Sequence, residues 1–428
     1  MQMNKLAINI LGATLALAGG NAMAAGFALQ NQNGAGTGYA YAGSAAVAED
    51  ASTIYFNPAG MLFLSEGHHF TGALTVLDRS LKFSDEGSNA LRVAAPPVPA
   101  YPLGTSGGDA GGYSLVPALF WTMSMNKDLR VGVGVSPTFG NATEWDDTFI
   151  GRYQGSYSEI KAINVNPSIA MRVNDAVSLG FGINFVKFEA DLRGKQPVTA
   201  LLPTTVDVES KLSGDDTGWG WNAGVMFKLS SATRVGVTYR STIDLDVEGG
   251  VEAGPTYTPA KVSIELPDTA SLAIAHQMTD RLQLLADYTW TGWSSIPSLL
   301  VQHGSAGVTL TDEGLGFKDS YRIGLGAQYQ YTDALRLRAG VAFDESPIRK
   351  VSDRTVRLPD SDRTWVAFGF NYKLSKQTSV DAGYAHLFFD KEKIDRRSVL
   401  GTTPTAQFVR GAFDTSVNIL SVQVNHSF

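Results

Sequence analysis

The 428-residue chain contains no cysteine, which excludes a disulfide framework and any thiolate metal site. Beyond its first residues it lacks any stretch near the roughly 20 unbroken apolar residues that a transmembrane helix requires. A basic excess is missing too. Thirty-four Lys and Arg face 41 Asp and Glu, for a formal net charge of −7, and no long basic run provides the phosphate-neutralising surface of a nucleic-acid binder. Histidine is sparse, at His68, His69, His276, His303, His386 and His426, and none stands in a recognisable catalytic motif. Neither a glycine-flanked nucleophile elbow, a phosphate loop nor a His-Glu-x-x-His metal motif is present. The chain is therefore read as a non-enzyme with no cofactor, no metal and no nucleic-acid partner.

What is present points outward from the cytoplasm. Lys5 precedes the apolar run Leu6 to Ala18, followed by Gly19-Gly20 and the small-residue site Ala22-Met23-Ala24. This is the pattern of a secretory signal peptide over residues 1–24, with cleavage after Ala24. Forty-five glycines and a mean hydropathy of −0.03 suit many strands and turns better than a helical membrane protein.

Period-2 alternation dominates the rest of the chain. At the end, Leu420, Val422, Val424, His426 and Phe428 share one face and Ser421, Gln423, Asn425 and Ser427 the other. Tyr321, Ile323, Leu325, Ala327, Tyr329 and Tyr331 oppose Arg322, Gly324, Gly326, Gln328 and Gln330 in the same way. In a membrane strand one face meets lipid and the other the lumen, so Arg336, Arg338 and Asp344 of the next segment must point inward. Soluble sandwiches alternate as well, and connection lengths decide between the two. About fourteen candidate strands are joined by connections that alternate between short and long. The short ones are Asn126-Lys127-Asp128, Asn174-Asp175, Ser230-Ser231-Ala232, Thr279-Asp280, Thr332-Asp333 and Ser375-Lys376-Gln377. The long ones, including 85–112, 194–214, 294–319 and 390–412, are rich in Gly, Pro, Ser and charge. Clipped turns at one rim and elaborate loops at the other are how outer-membrane barrels are built. The expectation is an all-β transmembrane antiparallel barrel over residues 65–428, in the outer membrane of a Gram-negative bacterium. The terminal Phe428 after an alternating strand adds a small weight.

Residues 25–64 do not alternate. Their run of small residues, from Gly34 to Ala48, suits a compact plug in a lumen too wide for a barrel of this size to fill with its own side chains. The same composition is also that of a flexible periplasmic tail.

With these features the chain resembles the FadL family of outer-membrane transporters for long-chain fatty acids and other hydrophobic compounds, over essentially the whole mature sequence. The resemblance is carried by Ala25-Gly26-Phe27, Asn57-Pro58-Ala59, the run Phe139 to Trp145, Gly220-Trp221-Asn222-Ala223-Gly224, Thr238-Tyr239-Arg240-Ser241, Gly316 to Arg322, Ala342 to Pro347 and Leu358 to Arg363. It implies fourteen strands closed by an N-terminal hatch. Cargo would be captured among the outer loops, pass to an inner pocket and leave sideways at a kinked third strand. Pro137 in that strand, Leu129 to Phe139, supports the kink independently, because proline cannot donate to a ladder and belongs at a bulge or edge, and Gly140 loosens the region further.

By the same resemblance Asn57, Pro58 and Ala59 form the hatch motif, and Phe27 and Leu29 line the inner pocket. Lys318 and Arg193 are the candidate cations for a carboxylate, whose desolvation a positive charge would offset. The basic group Lys391, Lys393, Arg396 and Arg397 would face lipopolysaccharide, although Asp390, Glu392 and Asp395 among them favour a solvated loop. The expected partners are hydrophobic small molecules and outer-membrane lipid, with the protein a monomer. Two alternatives share the barrel: an uptake channel for monoaromatic hydrocarbons, and a general porin or surface adhesin with an open lumen.

Overall fold

The computed structural model describes residues 26–89, 103–199, 205–400 and 403–428. The expected signal peptide and its cleavage point lie outside these, as does part of the first long connection.

Seven strands follow the N-terminal segment: β1 (His68–Asp85), β2 (Gly112–Asn126), β3 (Leu129–Glu144), β4 (Tyr157–Arg172), β5 (Val177–Thr199), β6 (Thr205–Lys228) and β7 (Thr233–Arg240). A hairpin, β8 (Ile243–Ala253) and β9 (Thr256–Leu266), leads to β10 (Thr269–Gln277) and β11 (Leu282–Thr291). A second hairpin, β12 (Ser298–His303) and β13 (Thr309–Gly314), precedes β14 (Ser320–Gln330), β15 (Leu335–Asp344), β16 (Arg363–Lys373), β17 (Thr378–Phe389), β18 (Glu392–Leu400) and β19 (Thr403–Ser427). Setting aside β8, β9, β12, β13 and β18, the remaining fourteen strands form one antiparallel ring, because β7 pairs with β10, β11 with β14, β17 with β19, and β19 with β1. The closing seam runs from His69↔Ser427 to Asp85↔Gly411, and closure removes the sheet edges that hydrocarbon does not tolerate.

The expected faces are observed. Leu420, Val422 and Val424 are exposed while Ser421 and Gln423 are fully buried, which identifies the outer surface as the apolar one. All six short turns fall between the expected strands. The long connections differ from expectation, since 194–199 and 205–214 continue β5 and β6 as paired strands, and the described residues of 390–412 contain β18 paired with the first half of β19. Their inward side chains pack against other outer segments, Ile394 and Val409 in one buried cluster and Leu212 against another, so the alternation there is set by loop packing and not by lipid.

Residues 26–64 lie inside the ring as short helical turns: α1 (Gly34–Gly38), α2 (Ser44–Val47), α3 (Thr53–Phe56) and a 3₁₀ turn, Pro58–Phe63. Wall glycines let this segment approach backbone to backbone. A Cβ on Gly369 would lie 2.6 Å from Cα of Gly38, and one on Gly180 would lie 2.5 Å from the carbonyl carbon of Pro58. Asn57 caps the 3₁₀ turn through its side-chain oxygen, which accepts from the Ala59 amide at 3.1 Å, and its Nδ2 donates to Ala45 O at 2.9 Å and to Val225 O on β6 at 3.2 Å. Pro58 fits because the first position of such a turn needs no donor. Charge fastens the other side. Glu49 pairs with Arg336 and Arg338, both at 2.8 Å, and Arg338 also pairs with Asp381.

Candidate functional site

Among the described residues, the wall of the barrel is interrupted between β2 and β3. The β2–β3 ladder stops at Leu119↔Val135, although β2 continues to Gly112 and β3 to Glu144. On its other side β3 stays paired with β4, but the register shifts between Pro137 and Phe139, leaving Thr138 as an extra residue. Proline at this bulge removes a donor that the ladder would otherwise need. The free edge of β3 would be costly in apolar surroundings, where each unmade backbone bond costs about 1–3 kcal/mol or more.

The N-terminal residues supply its partners. The Leu29 amide donates to Thr138 O at 2.8 Å, and the Gly140 amide donates to Phe27 O at 2.8 Å. Gln32 Nε2 donates to Pro137 O at 2.7 Å, and the Arg79 guanidinium reaches Ala110 O at 3.1 Å and the carbonyl of Ala142. The expected gate residues, Pro137 and Gly140, therefore meet the expected pocket residues, Phe27 and Leu29, at one gap.

Three cavities run through that gap. An inner cavity of about 90 Å³ lies between the N-terminal segment and strands β7, β10, β11 and β14. Leu29 and Phe139 line both it and a smaller space of about 20 Å³ in the gap itself. Pro137 and Ile163 in turn line both that space and a lipid-facing groove of about 470 Å³. The groove is walled by β1, β2, β3 and β4, and its lining includes Phe70, Leu119, Trp121, Val133 and Val135.

Above the inner cavity the lumen is filled by aromatic packing. The Phe27 ring centroid lies 5.0 Å from Trp293 and 5.7 Å from Phe139, and Trp293 lies 5.9 Å from Phe317. The same end of the chain is held by a buried carboxylate, since the Gly26 amide donates to Asp360 Oδ2 at 3.0 Å. Burial pushes the Asp360 carboxyl above its ordinary pKa, against the opposing pull of Arg363, the Gly26 amide and Ser346.

A second cleft, of about 360 Å³, opens among the outer hairpins and loops. Its apolar lining includes Leu192, Leu212, Val251, Leu299, Val301 and Leu310, beside the cations Lys195, Arg357, Arg396 and Arg397 and the carboxylates Asp312 and Glu313. Arg357 is held by donation to the carbonyls of Tyr157 at 2.9 Å and Arg193 at 2.8 Å, and burial lowers its pKa despite Glu313.

The two cations expected from the sequence lie apart from these cavities. Arg193 is clasped by Asp191 through two hydrogen bonds of 3.0 and 2.8 Å and stacks over Tyr157. Lys318 is exposed on the outer loop, and its amide donates to Pro347 O at 2.9 Å. Within the basic group, Lys391 pairs with Asp414, Lys393 with Glu86 and Arg396 with Glu313. Sequence reading missed Arg240, Arg322 and Arg357 as lining groups and Trp293 as the hub of the aromatic packing. Arg240 stood inside the Thr238-Tyr239-Arg240-Ser241 motif, but nothing in the order of residues says that its side chain meets a cavity formed with four other strands.

The model of the family described as "Outer membrane protein transport protein (OMPP1/FadL/TodX)" matches residues 15–428. Outer membrane protein P1 of Haemophilus influenzae is 31% identical over 469 aligned residues, covering all of both chains. A long-chain fatty acid transport protein of Escherichia coli O157:H7 is 28% identical, covering 90% of this chain and 92% of the relative. Among solved structures, a Pseudomonas aeruginosa FadL homologue superposes with a TM-score of 0.85 at 23% identity, covering 94% of this chain and 100% of that one, a likeness of fold.

Proposed function

This chain belongs to the OMPP1/FadL/TodX family of outer membrane transport proteins, and from that premise we propose that it takes up long-chain fatty acids or similar hydrophobic compounds passively, releasing them sideways through the gap between β2 and β3. The observation that carries this reading is the continuity of inner cavity, gap and lipid-facing groove through shared residues, Leu29 and Phe139 first, then Pro137 and Ile163. Such a route never exposes an apolar chain to water, and the hydrophobic effect at roughly 25 cal/mol per Å² drives the cargo onward into lipid without an energy source.

In this reading the outer cleft captures cargo, with apolar walls for a tail and a surplus of cations for an acidic head; Lys318 and Arg193 contribute positive potential at the outer rim. Phe27 and Leu29 line the passage, and Asn57, Pro58 and Ala59 keep the N-terminal segment seated as a plug. A porin needs an open lumen, which residues 26–64 occupy here. A neutral aromatic hydrocarbon would use the same apolar gap but gain nothing from the outer cations, so uptake of oleate compared with toluene separates the two cargo classes.

The route is tested by straightening β3. Pro137→Val with Gly140→Ala is expected to abolish most uptake while the protein still assembles, as judged by heat-modifiable migration. Unchanged uptake would remove the gap from the mechanism.

A further inference from the structure

We infer that Arg240 is an anchor for the anionic head group of a single-chain amphiphile inside the lumen, and that cargo held there leaves tail first through the gap. The inference rests on the lateral route proposed above and adds a binding residue and a direction to it.

The charged groups lining the inner cavity are Arg240, Arg322 and Asp287. Arg322 is already committed, since it pairs with Asp287 at 3.1 Å and donates to the carbonyl of Ala40. That second bond steadies a turn in which Ala40 and Tyr41 adopt left-handed φ values of 51° and 57°. Arg240 is different. Its guanidinium donates to Asn184 Oδ1 and, at 2.9 Å, to Tyr55 O, and its carbon lies 4.8 Å from the Tyr55 ring centroid. Both hydrogen-bond acceptors are neutral, and no carboxylate among the described residues forms an ion pair with it. The cavity lining therefore carries one positive charge more than negative.

A half-buried guanidinium with no counter-ion favours an anion of matching geometry, and a carboxylate accepts from it in bidentate fashion. Thr269, directly opposite Arg240 in the β7–β10 register, and Ser271 line the same cavity. Across the cavity stand Leu29 and Phe139, the two residues that continue into the gap. Tyr55 joins the two ends, because its carbonyl accepts from Arg240 and its hydroxyl donates to Leu29 O at 3.3 Å. An amphiphile whose head rests on Arg240 thus has its tail directed at the apolar exit, and the head follows only after that bond is surrendered.

The test measures equilibrium binding of radiolabelled hexadecanoate and hexadecan-1-ol to the purified full-length protein in detergent. Arg240→Met is expected to weaken hexadecanoate at least about tenfold, the scale of a lost charged hydrogen bond, and to leave the alcohol unchanged. Arg240→Lys, which keeps the charge but not the planar fork, should restore part of the loss. Thr269→Asp, which neutralises Arg240 without removing it, should reproduce the selective loss, so a folding defect in one variant does not shield the idea. Equal weakening of both ligands, or no weakening, would overturn the anchor.

Direction is read by photo-crosslinking. A diazirine on the terminal carbon of hexadecanoate should label peptides bearing Pro137 and Ile163, and one beside the carboxylate should label those bearing Tyr55 and Arg240. The reverse pattern overturns tail-first release. If the straightened β3 variant imports normally while Arg240 selectivity persists, the lateral route fails and the head-group site stands.

Discussion

The Gly140 amide donates to the carbonyl of Phe27 at 2.8 Å, so a residue at the very start of the described chain completes the edge of a barrel strand more than a hundred positions later. Together with the bond from Leu29 to Thr138, this makes the gap between β2 and β3 a place where the wall is finished by a removable part rather than by its neighbour. The extra residue at the bulge, Thr138, is a direct handle on that gap. Deleting Thr138 should let β3 resume its ladder with β2, cutting uptake as strongly as the double substitution does. Normal uptake in the deletion, with amide exchange showing a continuous ladder, would count against the gap as the exit.

The N-terminal segment is expected to stopper the lumen. Removal of residues 25–64 should turn a barrel of negligible ion conductance into an open pore in planar bilayers. The wall should still close, because the β1–β19 seam does not include that segment. No rise in conductance would mean that the outer loops alone seal the barrel.

Phe27 packs its ring against Phe139 and Trp293 and is 6% exposed. Phe27→Ala should cost about 3–5 kcal/mol of local stability, the range for a buried Phe truncated to Ala. The loss should appear as faster amide exchange at Leu29 and Gly140, with heat-modifiable migration of the barrel unchanged, because the cluster lies inside the wall and not in its ladders.

Arg338 and Asp381 have side chains only 2% and 1% exposed, whereas Lys391 and Asp414 are 76% and 63% exposed. Arg338→Met strands the buried Asp381 carboxylate and leaves Glu49 with Arg336 as its remaining cation, and should cost about 3–5 kcal/mol. Lys391→Ala should cost well under 1 kcal/mol. Urea unfolding followed by gel mobility compares the two, and similar midpoints would contradict the expected effect of burial.

The carboxylate of Asp109, in the outer loop before β2, is pushed up by burial. The net shift is nonetheless downward, through the Leu81 amide at 2.7 Å, Ser80 Oγ at 2.7 Å and the Gly111 amide at 3.0 Å, with help from Lys82. A depressed folded-state pKa means that the ionised form supports the loop above the unfolded value of about 3.9. That support is lost as pH falls through the lower folded value. Protection of the Leu81 and Gly111 amides should therefore fall in strong acid, and Asp109→Asn should remove this pH dependence. An unaltered profile in the variant would assign the protection to other contacts.

The sequence by itself determined the barrel. Lipid imposes a period of two on each crossing strand, and the six short turns carry their own turn chemistry, so strand faces and rim assignment are local properties that a linear reading recovers. It also located the kink, since Pro137 cannot donate wherever it is placed. Only the tertiary structure decided which groups meet. Phe27 reaches Gly140, Glu49 reaches Arg338, and Arg240 faces a cavity whose other walls come from the N-terminal segment, β3, β10, β11 and β14. Arg193 looked available for a ligand until folding set it against Asp191, while Arg240 carried no mark in the chain of being left without a counter-ion. Charge compensation depends on contacts across the lumen, and no periodicity along the chain records those.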